Sequence, residues 1–260
     1  MVEAKSNGLP PWTKFLWNQT QITNPQPTFI EVDLTNYCNR NCKWCVSDKI
    51  RKEKPLNMSC DTFSRILEEA ATNHLGIVFT GGGEPTLHPN FKTFCQSVMN
   101  LVNKGLIPQM GLITNGAKWD VVDWYLGNTS DPPAWVRISV NAWAIDDELK
   151  RLLKQYPNRI GISIIYDSSE KQKATDNHFD LSYGFKPKFI RMKEAHDFDH
   201  PTRDPESCLG RKFVKIYETD GSEPYCCLGR GLNGKPPKSC PSGCPWNFDI
   251  QDAWKHNPFS

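Results

Sequence analysis

"TFIEVDLTNYCNRNCKWC", residues 28–45, changes character partway along. Its opening, "TFIEVDL" (28–34), reads as a short strand that ends where the polar residues begin. The remainder is a loop that gathers Cys38, Cys42 and Cys45 at spacings of four and three. Three thiols are an awkward set, because a structural zinc site wants four ligands and a disulfide framework wants an even number. The stretch is a strand whose C-terminal end carries an incomplete ligand set.

The same order recurs downstream. "LGIVFT" (75–80) runs into "GGGEP" (81–85), "QMGLIT" (109–114) into "NG", and "WVRISV" (135–140) into Asn141; "IGISIIY" (160–166) and "PKFIRM" (187–192) follow. Helical patterns lie between them. Ser59 is placed to N-cap a helix with Phe63, Ile66, Leu67 and Ala70 on one face. Phe91, Phe94, Cys95, Val98, Leu101 and Val102 form a second stripe, and "WDVVDWYL" (119–126) and "DDELKRLLKQ" (146–155) supply two more helices. Short apolar strands alternating with helices imply a parallel sheet covered on its outer face. Six such units, with no clear seventh or eighth, give the expected fold: α/β, a partial (β/α)6 TIM-like barrel over residues 28–193. Sites in such folds lie at the C-terminal ends of the strands, which here collect the cysteines, the glycines and Glu84.

Residues 1–27 read as an N-terminal extension, 194–207 as a polar linker, and 208–260 as a small cysteine-rich domain. Within the last, "FVKIYETDGSEPYCC" reads as a hairpin turning at Asp220-Gly221, and "IQDAWKH" as a short helix. So small a piece has little core, and metal ligation would explain how it stays folded.

Composition narrows the function. A chain of 260 residues suits one large domain with a small appendage. A formal net charge of +2 gives no strong nucleic-acid signal. The absence of a long apolar run or signal-peptide stretch points to a cytoplasmic protein with no membrane contact. There, ten cysteines stay reduced and serve metals or catalysis rather than disulfides.

The three-cysteine loop has two readings: a zinc site completed by a distant residue, or an iron–sulfur cluster with one iron left without a protein ligand. The compact span favours the cluster. With its surroundings, the chain resembles the radical S-adenosylmethionine superfamily. The motifs are the CxxxCxxC of Cys38, Cys42 and Cys45, the aromatic Trp44 before the third cysteine, "GGGEP" after the second strand, "TNG" (114–116) and "RIS" (137–139). They occur in family order within the first 192 residues.

The resemblance implies roles. Cys38, Cys42 and Cys45 would ligate three irons of a [4Fe–4S] cluster whose fourth iron chelates S-adenosylmethionine. Reductive cleavage would then give a 5′-deoxyadenosyl radical that abstracts hydrogen from an unactivated carbon. Gly82, Gly83 and Glu84 would meet the methionine amino group, and Trp44 would lie beside the adenine. Asn115 of "TNG" joins the cofactor-binding set. Ser139 and Asn141 would bond the ribose, and Ile162 or Ile164 would touch the base. Arg191, Tyr166 and Asp167 are the candidates for substrate contact, where an arginine could stabilise an alkoxide or bind a carboxylate or phosphate.

The C-terminal cysteines resemble the shortened auxiliary-cluster module called twitch, a relative of the longer SPASM module. Cys208, Cys226, Cys240 and Cys244 would hold a second [4Fe–4S] cluster. The family's glycine spacing selects Cys226 over adjacent Cys227, while the CxxxC of Cys240 and Cys244 is looser than the module's CxxC. Structural zinc on the same thiols is the alternative. Cys95 lies on an apolar stripe and reads as core; Cys60 takes no role. His88 is expected to satisfy backbone groups, and His196 and His200 could reach the barrel mouth as bases.

With four protein ligands the auxiliary cluster would accept the second electron, which makes the expected reaction a two-electron oxidation of a small molecule such as a sugar, aminocyclitol or nucleotide. Only 27 residues precede the first strand, too few for a leader-binding domain, which favours a small substrate over a peptide. The electron would come from an external donor such as flavodoxin or ferredoxin. A peptide- or nucleic-acid-modifying enzyme of the same superfamily is the runner-up. A non-enzymatic zinc scaffold is the reading from another class.

Overall fold

The computed structural model describes residues 27–45, 47–53, 55–130, 133–141, 145–195, 197–203, 214–226, 229–230 and 240–242. Six parallel strands follow in order: β1 (Phe29–Asp33), β2 (Gly76–Thr80), β3 (Met110–Thr114), β4 (Ala134–Asn141), β5 (Ile160–Tyr166) and β6 (Phe189–Glu194). Helices α1 (Asp48–Glu53), α2 (Cys60–Thr72), α3 (Phe91–Asn103), α4 (Trp119–Asn128), α5 (Asp147–Gln155) and α6 (Lys171–Gly184) connect them. The strands agree with the expected six units to within one or two residues.

The helices form where capping and periodicity agree. The Ser59 hydroxyl accepts from the Thr62 N–H at 3.1 Å and starts α2, which buries Phe63, Ile66 and Ala70. Phe63 stacks on Phe94 of α3, with ring centroids 4.1 Å apart. Asp146 caps α5 through the Leu149 N–H, and Leu149, Leu152 and Leu153 face the sheet. Helix α6 had no clear signal. It buries Ala174 and Leu181 alone, two apolar positions seven apart in a polar stretch.

Alternation along the strands separates two faces. Ile30, Val32, Ile77, Phe79, Met110, Leu112, Val136, Ile138, Val140, Ile160, Ile162 and Ile164 pack with the helices in one core cluster. The opposite, inner face is closed near its N-terminal end by aromatic rings laid over glycines. A Cβ on Gly111 would fall 2.1 Å from the Trp135 ring, and one on Gly161 would fall 2.2 Å from that of Phe189. Above this layer the inner face turns polar.

Two expectations are corrected. Val214–Tyr217 (β8) does not begin a hairpin; it pairs in parallel with the free side of β1 and makes a seven-stranded sheet, β6-β5-β4-β3-β2-β1-β8. The turn at Asp220-Gly221 does exist, with Gly221 N donating to Glu218 O at 2.9 Å, but no return strand follows among the described residues. The physical reason is that β1 would otherwise offer an unpaired edge. In addition, the stretch read as linker contains β7 (Asp197–Arg203), paired antiparallel with β9 (Cys240–Ser242). Its register shifts about Pro201, a residue that cannot donate to a ladder. The terminal "IQDAWKH" and residues 1–26 lie outside the described residues. No described helix is long and apolar enough to cross a membrane.

Candidate active site

The cysteine loop leaves the end of β1 and is tied down on both sides. Leu34 O accepts from Met58 N at 2.8 Å, Asn36 N donates to Leu56 O at 2.8 Å, and the Thr35 hydroxyl donates to Asn57 Oδ1 at 2.6 Å. On the other side lies the glycine loop, whose Glu84 N donates to Tyr37 O at 2.8 Å. A Cβ on Gly83 would fall 2.1 Å from Tyr37 O and 2.7 Å from Thr35 O, both backbone atoms. One on Gly82 would fall 2.6 Å from Asn36 Oδ1. The glycines expected to admit a ligand thus serve first to let two loops meet backbone to backbone.

Glu84 is buried and ties the loops to β3. Its Oε1 accepts from Thr86 N at 3.1 Å, Thr86 Oγ1 at 2.6 Å and Thr114 Oγ1 at 2.6 Å; Oε2 accepts from Asn115 N at 2.7 Å. Asn115 then reaches the cysteines, donating from Nδ2 to Cys38 Sγ at 3.5 Å and to Asn39 Oδ1 at 2.9 Å. Among the described residues its own Oδ1 has no hydrogen-bond partner although it is buried, which leaves it available to an incoming donor. Two more ties cross the mouth: Arg40 Nη1 donates to Ser139 O at 3.2 Å, and Lys43 lies 4.0 Å from Asp167. His88 meets expectation, accepting from Asn90 N at Nδ1 and bonding Met58 O through Nε2.

Cys38, Cys42 and Cys45 are half-buried free thiols. Burial pushes the Cys38 and Cys45 thiols above their ordinary value, while backbone N–H groups and Arg51 pull the other way. Metal ligation needs thiolates, so loading must also release protons. The all-sulfur donor set and the cradle made with the glycine loop suit an iron–sulfur cluster, which spreads its ligands over several irons; among the described residues no three His, Cys, Asp or Glu side chains converge on a single metal ion. In the metal-free chain, alkylation of Cys38 and Cys45 is expected to keep accelerating above pH 9, with no plateau near pH 8.5. A mass-spectrometric pH profile that levels off by pH 8.5 contradicts this.

The inner face carries Glu31 and Asp33 of β1, Arg137 and Ser139 of β4, Ser163 of β5 and Arg191 of β6. Glu31, Asp33, Ser163 and Arg191 are buried. Arg230 reaches in from the C-terminal segment: Nε meets Asp33 Oδ2 at 2.6 Å, and Nη2 meets Asp33 Oδ1 and Glu31 Oε2 at 3.1 Å each. Loss of solvent, then the nearby Arg191, lowers the Arg137 pKa to about 10, with Glu31 acting in the opposite direction. These charges escaped the sequence reading. The signal was charged residues at alternate positions of otherwise apolar strands, Glu31 and Asp33 above all.

Ser139 and Arg191 stand on the inner face, and half-buried Trp44 sits between Lys43 and Cys45. Ile164 does not. It is wholly buried with Ile162 between sheet and helices, because a period of two puts both opposite Ser163. Tyr166 also packs on that helix-side core, and Asp167 caps the turn Ser168–Glu170, accepting from Ser169 N at 3.0 Å. Both candidates for substrate contact thus also serve local structure. The Asn141, His200 and Cys240 side chains, and Cys208, Cys227, Cys244 and His196, lie outside what the structure describes. Cys226 is half-buried, four residues before Arg230.

Comparison with known proteins places this geometry. Residues 32–180 match the family model described as the radical SAM superfamily. GTP 3′,8-cyclase of Haemophilus influenzae (strain PittEE) is 28% identical over 188 residues, covering 69% of this chain and 50% of the cyclase. The chain therefore spans about half the length of the curated relatives it matches. A tungsten-containing aldehyde ferredoxin oxidoreductase cofactor-modifying protein of Pyrococcus furiosus is 31% identical over 90 residues, 34% of this chain and 24% of that protein. Among solved structures, BtrN in complex with AdoMet and 2-DOIA superposes with a TM-score of 0.52 at 13% identity, covering 91% of this chain and 85% of BtrN, a likeness of fold.

Proposed function

Because the chain belongs to the radical SAM superfamily, we propose that it oxidises a small, polar substrate by two electrons inside the barrel. Cys38, Cys42 and Cys45 hold the [4Fe–4S] cluster that the family implies. Bound there and reduced, cluster and S-adenosylmethionine supply a 5′-deoxyadenosyl radical. The chain's own residues do the rest. The glycine loop and Glu84 fix the cysteine loop, Asn115 offers its open acceptor, and Ser139 lies beside them.

The observation that carries the substrate class is the charged inner face. Glu31, Asp33, Arg137, Arg191 and Arg230 line that face with charge, and a polar guest can replace the water such groups hold, whereas an apolar one offers them no hydrogen bonds in exchange. Arg191, on the inner face of β6, is the candidate to meet a hydroxyl, carboxylate or phosphate. Cys208, Cys226, Cys240 and Cys244 would hold an auxiliary cluster, which would supply an acceptor for the second electron, and a flavodoxin- or ferredoxin-type donor would supply the first.

Anaerobic reconstitution tests this. About eight irons per chain are expected, two four-iron clusters, with reductant-dependent release of 5′-deoxyadenosine. Zinc without that release sinks the enzyme reading. About four irons removes the auxiliary cluster and the oxidation with it. A second reading is favoured by the relatives named GTP 3′,8-cyclase: radical cyclisation of a purine nucleotide. A screen of nucleoside triphosphates against polyols, scored by the mass change of the product, separates them. Loss of two hydrogens supports oxidation, and an isomeric product supports cyclisation.

A further inference from the structure

Helix α1 begins three residues after Cys45, and the chain from Cys42 onward is one run of hydrogen-bonded turns. Cys45 N donates to Cys42 O at 3.1 Å, Asp48 N to Cys45 O at 3.2 Å, and Arg51 N to Ser47 O at 3.0 Å. From there the Arg51 side chain folds back over the loop. Nη1 donates to Arg40 O at 2.7 Å and Nη2 to Asn41 Oδ1 at 3.4 Å, both in the span between Cys38 and Cys42. An arginine on a six-residue surface helix would ordinarily extend into water, yet this side chain is 10% exposed.

The surroundings leave its charge in place. Asp48 Oδ1 stands 3.5 Å away, but the Asp48 side chain is 36% exposed and its other oxygen bonds Lys52 at 2.6 Å. The oxygen facing Arg51 is itself buried, but the one carboxylate is shared between two cations and so offsets the guanidinium only in part. Glu84 is the buried carboxylate on the far side, and its oxygens are engaged by Thr86, Thr114 and Asn115. Its hydrogen bonds to Arg40 O and Asn41 Oδ1 hold the Arg51 guanidinium over the span between Cys38 and Cys42.

We propose that Arg51 is a positioning residue for the cluster. It clamps the Cys38–Cys42 span to α1 and fixes one permanent positive charge beside the sulfur ligands, raising the reduction potential of the cluster they hold. A positive charge stabilises the reduced, more negative state. Arginine suits the role because it stays charged at every relevant pH and its planar fork can serve two acceptors at once. The proposal rests on assigning the cluster to Cys38, Cys42 and Cys45.

The test is an anaerobic redox titration of the full reconstituted chain, followed through the electron paramagnetic resonance signal that S-adenosylmethionine perturbs, so that the barrel cluster is read apart from any other. Arg51→Gln is expected to make reduction at least tenfold less favourable, about 59 mV for one electron. Arg51→Lys keeps the charge and should stay within about threefold of the parent, while losing iron faster to a chelator because one ammonium cannot clamp two acceptors. An unchanged potential in Arg51→Gln overturns the proposal, as does an equal shift in Lys and Gln. If the Gln variant holds too little iron to titrate, the Lys variant decides. A parental potential with faster iron loss supports the proposal, and a tenfold shift defeats it. A parent chain that takes up no iron fails the cluster assignment itself, before any variant is compared.

Discussion

Gly83→Ala is expected to lose at least nine-tenths of the cluster that the parent retains, and about 2–3 kcal/mol of stability. For a chain of this size that is a fall in melting temperature of roughly 5–10 °C. The reason is local and steric. The added methyl would sit 2.1 Å from Tyr37 O and 2.7 Å from Thr35 O and the Asn36 carbonyl carbon. All are backbone atoms, held by the Asn36–Leu56 and Glu84–Tyr37 hydrogen bonds, so no side chain can swing away. Either the glycine loop or the cysteine loop must move, and both carry the site. Gly184→Ala is the control: nothing lies within 4 Å of the added carbon at the end of α6, and its stability should change by less than about 1 kcal/mol. Iron counts and thermal melts on the two variants decide. Equal behaviour would show that the loops do not depend on close approach.

Arg230→Met should cost about 3–5 kcal/mol at pH 7, because it leaves Asp33 and Glu31 buried without their cation. The loss should persist in high salt, since a buried pair is screened far less than a surface one. Arg230→Lys should fall between, keeping the charge but not the two-pronged grip on Asp33. The double change Asp33→Asn, Arg230→Met should recover part of the loss, because Asp33 then gives up its charge together with its cation while Glu31 still faces Arg137. The site would register the damage too. Arg230 binds the segment carrying Cys226 to the strand that leads into the Cys38 loop, 197 residues away in sequence from Asp33. Denaturant melts give the stabilities, and hydrogen exchange over residues 214–226 shows whether that segment leaves first. A cost below about 1 kcal/mol would mean that the pair does not fasten it.

The seven-stranded sheet makes both predictions possible, and most of it could be read in advance. Strands β1 to β6 are short, mostly apolar runs, those from β1 to β4 leading into glycines, asparagines or cysteines, and such runs have few other ways to bury themselves. Ser59 and Asp146 announce their helices because a capping side chain acts on its own next turn. Helix α6 was missed because Lys171–Gly184 has almost no apolar face, and its packing comes from Ala174 and Leu181 alone. Strand β8 was misassigned to a hairpin because the turn at Asp220-Gly221 is a local signal, whereas the unpaired edge of β1 is known only once the sheet is assembled.

The site divides along the same line. Cys38, Cys42 and Cys45, the glycine loop and Asn115 are chemistry written in short spacings, and the chain alone determined them together with the family. The tertiary structure decided the faces. A period of two sends Ile164 and Tyr166 to the helices and Ser139, Ser163 and Arg191 inward, and no spacing rule says which face will be which until the helices pack. It also decided that Gly83 faces backbone, that Arg51 folds back over the cysteines, and that Arg230 crosses the sheet to Asp33. Local chemistry depends on neighbours in sequence. Burial and long-range pairing depend on neighbours that only the folded chain brings together.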